Sequence, residues 1–516
     1  MAEFNLRRRT TYGPVEGFVD ELGPKWLGIP FAAPPVGDLR FRRAVPPEPW
    51  EEPKVCTVIS PKPVNFYLGS KKGCSEDCLY LNVWAPDSVL TETERGQWNI
   101  DSAPDRRPNE EKEKLPVFVF LYGGANSMGS SAQPDYSVQG FAKDGIIGVN
   151  FNYRVGPLGF YDFSRIDDHF ESNCALSDAI AALKWVHENI AEFGGDPENV
   201  TICGESAGGG MVFALLAAPS AQPYFQKAIA MSGLPDNGDS IRANELCTEA
   251  FLKKLRLPSE DVLKLKDMPI KKLQKGAKAV TKINKKYPGL LPAGTEVDGD
   301  LIPVKSWEAL ASGQCKDKIC MFGTCEDDGT MFTVTRIMPK KWKDIEKMLE
   351  NSDASEQYEK FRAVYEKAGS TKKAMHAIAR GRMFWADTVR VADIQSQWND
   401  VYCYRFDFVS GLEKFLRVGA LHGSDIGPGL DTWEGTANQF TNTWTSKKKL
   451  TKIHAWVHGA FVQFAKTGDP NGANHVHWPR WTAKDHETFL FNVKCSMEYD
   501  PEGDYFEAWR DLHLYP

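Results

Sequence analysis

No stretch of this sequence approaches the roughly 20 consecutive apolar residues that a membrane-spanning helix needs. Metal-binding patterns are equally scarce. The eleven cysteines are scattered, with no CxxC pair and no Cys/His cluster at zinc spacing. His454 and His458 lie four apart, but no HExxH motif surrounds them, so they read as helix surface or packing. No metal or organic cofactor is implied. Positive charge is in deficit, with 62 Lys and Arg against 69 Asp and Glu, a net charge of −7. Such a chain has no overall electrostatic footprint for nucleic acid or an anionic membrane. The short run Lys447, Lys448, Lys449 reads as a solvated face. Internal repeats and low-complexity tracts are missing too. Residues 1–9 contain no apolar core of a signal peptide. Together with an odd number of scattered cysteines, this leads us to expect mostly reduced thiols and a cytoplasmic protein. Secretion is the alternative if a leader was removed. The sole glycosylation sequon, Asn199-Val200-Thr201, falls in an expected core strand, where a glycan would not fit.

What the sequence does contain is a series of short apolar, β-rich runs. They lie at 116–122, 146–151, 200–204, 228–232, 318–323 and 401–406. Continuous runs of this kind suit a sheet covered on both faces. Helical patterns fall between them. Asp178–Phe193 carries apolar residues at helical spacing and ends at Gly194-Gly195, a good stop signal. Alternating strands and helices predict an α/β fold. Residues 87–114 are charged, contain Pro104 and Pro108 and lack periodicity, which predicts a solvated surface insertion. From about 236 to 390 the chain is mostly helical and Lys-rich, as expected of a helical subdomain packed on the sheet.

One local motif points to chemistry. Gly204-Glu205-Ser206-Ala207-Gly208 fits G-x-S-x-G, after an apolar strand and before a segment able to start a helix. A turn that sharp leaves no room for side chains beside the serine, which explains the glycines at 204 and 208. Ser206 is therefore the expected nucleophile. A serine hydrolase also needs backbone N–H donors for its oxyanion. The loop Tyr122-Gly123-Gly124-Ala125 follows an earlier strand, and it assigns the donors to Gly124, Ala125 and Ala207.

With these residues in place, the chain resembles the type-B carboxylesterase/lipase family, the cholinesterase-like branch of the α/β-hydrolases. The similarity runs through Gly28-Ile29-Pro30-Phe31-Ala32, Pro34–Phe41, Ser75–Val83, Asn152-Tyr153-Arg154, Phe193–Pro197 and Thr467–Asn471. It implies the α/β-hydrolase fold, with a central mostly parallel sheet flanked by helices, and one catalytic domain over 1–516. It also implies the rest of a triad, in the chain order Ser, acid, His. Asp328, in Gly323–Thr330, occupies the family's acid position, where many relatives carry Glu. Glu326 and Asp327 are the fallbacks. His422, in Leu421-His422-Gly423-Ser424-Asp425, occupies the position of the general base. By the same resemblance Glu205 lies under the acyl site and Ser232 supports the triad through hydrogen bonds.

Three departures from the family pattern follow. Cys78 matches a family disulfide position, but its upstream partner position holds Lys62 or Pro63, so pairing with Cys56 or Cys74 stays open. The segment from Pro63 to Cys78, where lipases carry a lid, is short. Ala125 stands where many relatives have glycine. The expected activity is hydrolysis of a soluble small or medium ester through an acyl-enzyme, with a small-molecule substrate as partner and an oligomeric state the sequence does not encode legibly. The alternatives are acyl transfer on the same triad and a non-catalytic, cholinesterase-like binding protein.

Overall fold

A computed structural model describes residues 6–66, 72–97, 113–235, 241–280, 282–291, 293–335, 337–433, 436–472, 476–501, 503–510, 512 and 514. Its backbone is one sheet. The strands are β1 (Leu6–Thr10), β2 (Gly13–Asp20), β3 (Gly23–Pro30), β4 (Lys54–Val55), β5 (Tyr80–Trp84), β6 (Leu115–Leu121) and β7 (Ile147–Phe151), followed by β8 (Gly195–Glu205), β9 (Lys227–Met231), β10 (Ile319–Cys325), β11 (Val401–Phe406), β12 (Glu487–Phe491) and β13 (Ser496–Tyr499). They lie in the order β1-β2-β3-β5-β7-β6-β8-β9-β10-β11-β12-β13, with β4 beside β2. The run from β7 to β12 is parallel throughout, and antiparallel strands extend both ends.

The parallel strands β6–β11 are those expected from the apolar runs, with bounds shifted by a few residues. Val117–Leu121 and Ile147–Phe151 are buried along their whole length, as strands covered on both faces must be. β12, parallel to β11, and the antiparallel strands β1–β3, β5 and β13 were not among the expected runs. Each carries charged or polar residues that break the apolar run, as in Leu6–Thr10 (LRRRT), so they lack the continuous apolar signal.

Helices cover the sheet. They include α1 (Cys174–Asn189), α2 (Ala207–Ala217), α3 (Ile241–Leu255), α4 (Ile270–Val280), α5 (Trp342–Glu350), α6 (Tyr358–Lys367), α7 (Thr371–Arg380), α8 (Ala386–Gln395), α9 (Gly411–Leu416), α10 (Thr436–Thr441) and α11 (Lys447–Thr467). The predicted helix over 178–193 starts four residues earlier, at Cys174, and tightens into a 3-10 turn over Ile190–Phe193 before Gly194 reverses the chain at φ 88°. The stretch from 236 to 390 supplies α3 to α8 around the single strand β10. The 87–114 segment departs from the aperiodic expectation. Its first part folds into a 3-10 turn, Asp87–Val89, and a helix, Glu92–Gln97, while 98–112 lie outside the described residues. Arg8 pairs with Glu94 at 2.7 Å and so ties this segment to β1.

One buried ion pair braces the front of α1. Asp178 is fully buried and accepts from Arg154 Nε at 2.8 Å, from Nη2 at 2.7 Å and from the Arg154 backbone N–H at 3.0 Å. A lone buried charge is far costlier than the pair. Asp178→Ala is therefore expected to lower stability by about 3–5 kcal/mol, read as an earlier midpoint in urea unfolding. An unchanged midpoint would show that the pair does not brace α1.

Candidate active site

The corner after β8 is the most constrained point in the chain. Ser206 adopts φ 58°, ψ −120°, a region that L residues avoid, at a cost of about 1–3 kcal/mol. Its backbone is held there by a 2.9 Å hydrogen bond from its N–H to Met231 O on β9. A Cβ on Gly204 would sit 2.3 Å from Gly208 O, and one on Gly208 would sit 2.1 Å from Leu121 O. Neither backbone can retreat, so only glycine fits at either place. α2 starts at Ala207, directly after the serine, and its first N–H groups point back at the corner.

The structure brings Ser206, His422 and Asp328 together from three separate segments. His422 Nε2 lies 2.8 Å from Ser206 Oγ, and its Nδ1 lies 2.7 Å from Asp328 Oδ1. The carboxylate can only accept, so Nδ1 carries a proton, and in the neutral ring Nε2 is left to accept from the serine hydroxyl. Asp328 is 1% exposed. Its other oxygen accepts from Ser232 Oγ at 2.9 Å and from the Cys325 N–H at 2.7 Å, which leaves little freedom of rotation. The fallback acids point elsewhere. Glu326 faces Arg380 at 3.6 Å, and Asp327 accepts from Thr330 Oγ1 and from the Gly419 N–H. A bridge between Asp327 and Leu421 sets the acid turn beside the histidine loop.

The glycine-rich loop lies alongside. Gly124 (φ 130°), Ala125 (φ 50°) and Asn126 (φ 54°) form a tight turn, closed by the Ser127 and Met128 N–H groups donating to Gly124 O. Ala125, Asn126, Ser206 and Ala207 line one cavity of about 40 Å³ with Leu234, Leu291, Phe332, Ile337, Met383 and Phe384. No hydrogen bond to another described residue occupies the N–H of Gly124, Ala125 or Ala207. A larger surface groove, about 1170 Å³, runs along β1 past Tyr12, Trp50 and Glu192, but no nucleophile–base pair converges on it.

A family model for the carboxylesterase family matches residues 5–509. The chain belongs to the carboxylesterase family. It is 32% identical to the para-nitrobenzyl esterase of Bacillus subtilis (strain 168), over 96% of each chain. It is 31% identical to the fumonisin B1 esterase of Sphingopyxis macrogoltabida, over 92% of this chain and 84% of that one. Among solved structures, a PNB esterase superposes with a TM-score of 0.84 at 30% identity, covering 99% of both chains. A carboxylesterase of Geobacillus stearothermophilus superposes at 0.80, with 29% identity and coverage of 98% and 99%. The fold is the α/β-hydrolase fold, and the enzyme class is carboxylesterase.

Around Ser206, His422 and Asp328 of this carboxylesterase sits a ring of groups that sequence reasoning found only in part. Glu205 is buried, with Oε1 3.3 Å from His422 Nε2. Burial pushes its carboxyl up to about 7. Burial alone would lower the imidazole, but the charges of Glu205 and then Asp328 outweigh it and raise His422 to about 9. Asp425 is wholly buried and accepts from Tyr404 Oη at 2.7 Å. Burial raises it to about 6. Phe384 stacks on the His422 ring at 4.7 Å between centroids and 1° between planes, and Phe332 meets it edge-on at 5.2 Å. Phe384 reaches that position through φ 83°, inside a wide turn at Gly381–Trp385 between α7 and α8. Nothing in the sequence marks a Phe for a left-handed conformation. Asp425 did have a signal, being the acid two residues after Gly423.

Other sequence expectations fall outside the site. His458 is buried and bonds to Gly429 O at 2.8 Å and Asp144 at 3.0 Å, and His454 lies 3.2 Å from Pro428 O. Both pack α11 onto the short helix Ile426–Leu430. None of the eleven cysteines forms a disulfide, Cys56, Cys74 and Cys78 included, which resolves the open pairing. Of the short 63–78 segment, residues 67–71 lie outside the described residues.

Because two carboxylates hold the imidazolium, His422 is expected to keep its charge to higher pH than a free histidine. Titration followed by the downfield Nδ1–H proton resonance checks this. Glu205→Gln removes the largest stabilising charge and should move the transition to lower pH. A transition that stays put would mean that Glu205 is uncharged when His422 titrates.

Proposed function

We propose that the chain hydrolyses soluble small or medium carboxylic esters by a serine acyl-enzyme mechanism. The observation that carries this reading is the continuous chain of contacts from Asp328 through His422 to Ser206. In the first half-reaction Ser206 Oγ attacks the ester carbonyl while His422 Nε2 takes its proton. Asp328 holds the Nδ1–H tautomer and stabilises the imidazolium. The carbonyl oxygen, now negative, is received by the N–H groups of Gly124, Ala125 and Ala207, with the α2 dipole behind them. The intermediate collapses as His422 returns the proton to the leaving alcohol. Water then repeats the sequence on the acyl-enzyme and releases the acid.

Ser232 acts through Asp328, holding it against rotation, and Glu205 tunes the charge on His422. The small apolar cavity beside Ser206 supports a short acyl group. The curated relatives named above act on esters by their names, which supports the reaction class. For the compartment, the free and mostly buried thiols support a reducing one.

Purified protein and its variants are to be assayed on p-nitrophenyl esters from acetate to palmitate. Ser206→Ala should lose roughly a million-fold in kcat, and Asp328→Asn about ten-thousand-fold, through the wrong histidine tautomer. The chain-length optimum should fall at the short end. Turnover that survives in Ser206→Ala would sink the mechanism, and an optimum at palmitate would sink the substrate class. A jump in rate above the solubility limit of tributyrin would also count against a soluble substrate.

A further inference from the structure

The chain's most exposed large hydrophobic side chains include four that share one place. Phe415 and Leu416, on α9, are 69% and 56% exposed; Phe440, on α10, is 69% exposed; Trp444, which follows it, is 68% exposed. α9 and α10 pack against each other. The rings of Phe415 and Trp444 meet edge to face at 5.0 Å, and the Gly411 N–H donates to Thr445 Oγ1 at 2.7 Å. Four exposed apolar groups of this size on and beside two packed helices, two of them in ring contact, form a patch that water alone does not explain.

The border of the patch is basic. Lys414 and Arg417 flank Phe415 and Leu416, and both are exposed. Lys447, Lys448 and Lys449 follow three residues after Trp444, exposed at the start of α11, with no acidic residue in that first turn. None of these five cations is ion-paired with a described carboxylate. The nearest acid in sequence, Glu413, is turned inward. It is buried, caps α9 through the Ser410 N–H, and accepts from the Leu421 N–H and Ser424 Oγ. A chain of net charge −7 thus gathers unneutralised positive charge around its exposed aromatics.

We propose that this patch docks on an anionic lipid surface, with Phe415, Leu416, Phe440 and Trp444 entering the headgroup boundary and the flanking lysines and arginine meeting lipid phosphates. Aromatic side chains are favoured at that boundary because one part of the environment is apolar and the rest is wet. Basic residues around them supply the attraction to anionic lipid. A second copy of the chain is the poorer occupant. A two-fold contact sets the same patch against itself and brings like charges face to face. The docking is peripheral, since no helix among the described residues is long and apolar enough to cross a membrane. It is also separate from the chemistry at Ser206 and stands or falls without it.

The test is co-sedimentation of the full chain with vesicles of phosphatidylcholine alone and of phosphatidylcholine mixed with phosphatidylglycerol. Retention should be at least about tenfold greater on the mixed vesicles and should fall as salt rises. Two variants separate the contributions: Lys447→Glu/Lys448→Glu/Lys449→Glu and Phe415→Ser/Phe440→Ser. Both should lose retention while hydrolysing soluble p-nitrophenyl acetate at the rate of the unaltered chain. Protein that stays in the supernatant with both vesicles would overturn the proposal, as would retention that neither variant alters. A dimer in sedimentation velocity that Phe415→Ser/Phe440→Ser dissociates would overturn it in favour of a second copy.

Discussion

The site depends on a corner with no spare volume. β8, α2 and the end of β6 meet where Ser206 stands, and the oxygens of Leu121 and Gly208 occupy the space that side chains at 208 and 204 would need. Close-packed backbone is what holds the serine at φ 58°. A looser corner would relax, because the strain favours any other conformation by about 1–3 kcal/mol. The parallel sheet supplies the rigidity. Its central strands are buried on both faces, and β9 anchors the Ser206 N–H.

Around that corner the enzyme concentrates buried ionisable groups. Glu205, Asp328, Asp425 and the His422 side chain are all buried. Three carboxylates near one imidazole cannot all be charged without cost, so burial raises Glu205 and Asp425 while their charges raise His422. The geometry divides the labour. Asp328 has two donors besides the histidine, which fix its orientation. Glu205 has burial and the histidine. Phe384, stacked on the ring, and Phe332, meeting it edge-on, hold the imidazole in the plane of its contacts to Ser206 and Asp328.

Much of this was legible in the residues. The apolar runs located the parallel strands because a strand buried on both faces must be apolar throughout. The spacing of Gly204 and Gly208 around Ser206 was legible for a steric reason. Asp328 and His422 were legible only through resemblance, since an isolated acid or histidine carries no mark of its partner 94 residues away. The outer strands were missed for two reasons: in Leu6–Thr10 and Ser496–Tyr499 exposed residues dilute the apolar signal, while in the largely buried Tyr80–Trp84 and Glu487–Phe491 the polar Asn82 and Glu487 interrupt it. The short helix at the start of the 87–114 segment was not foreseen because ETERGQ carries no apolar stripe for periodicity to reveal.

The sequence by itself determined the glycine-flanked corner at Ser206 and the core of the parallel sheet, because each is written in local constraints: side-chain volume at a turn and hydrophobicity along a strand. Tertiary structure alone decided how far Glu205 and Asp425 are pushed from ordinary carboxylates, and which Phe faces the imidazole. It also decided that Phe415 and Trp444, 29 positions apart in the numbering, share one surface beside three lysines. Those properties belong to distances through space and to the exclusion of water, and neither exists until the chain has closed on itself.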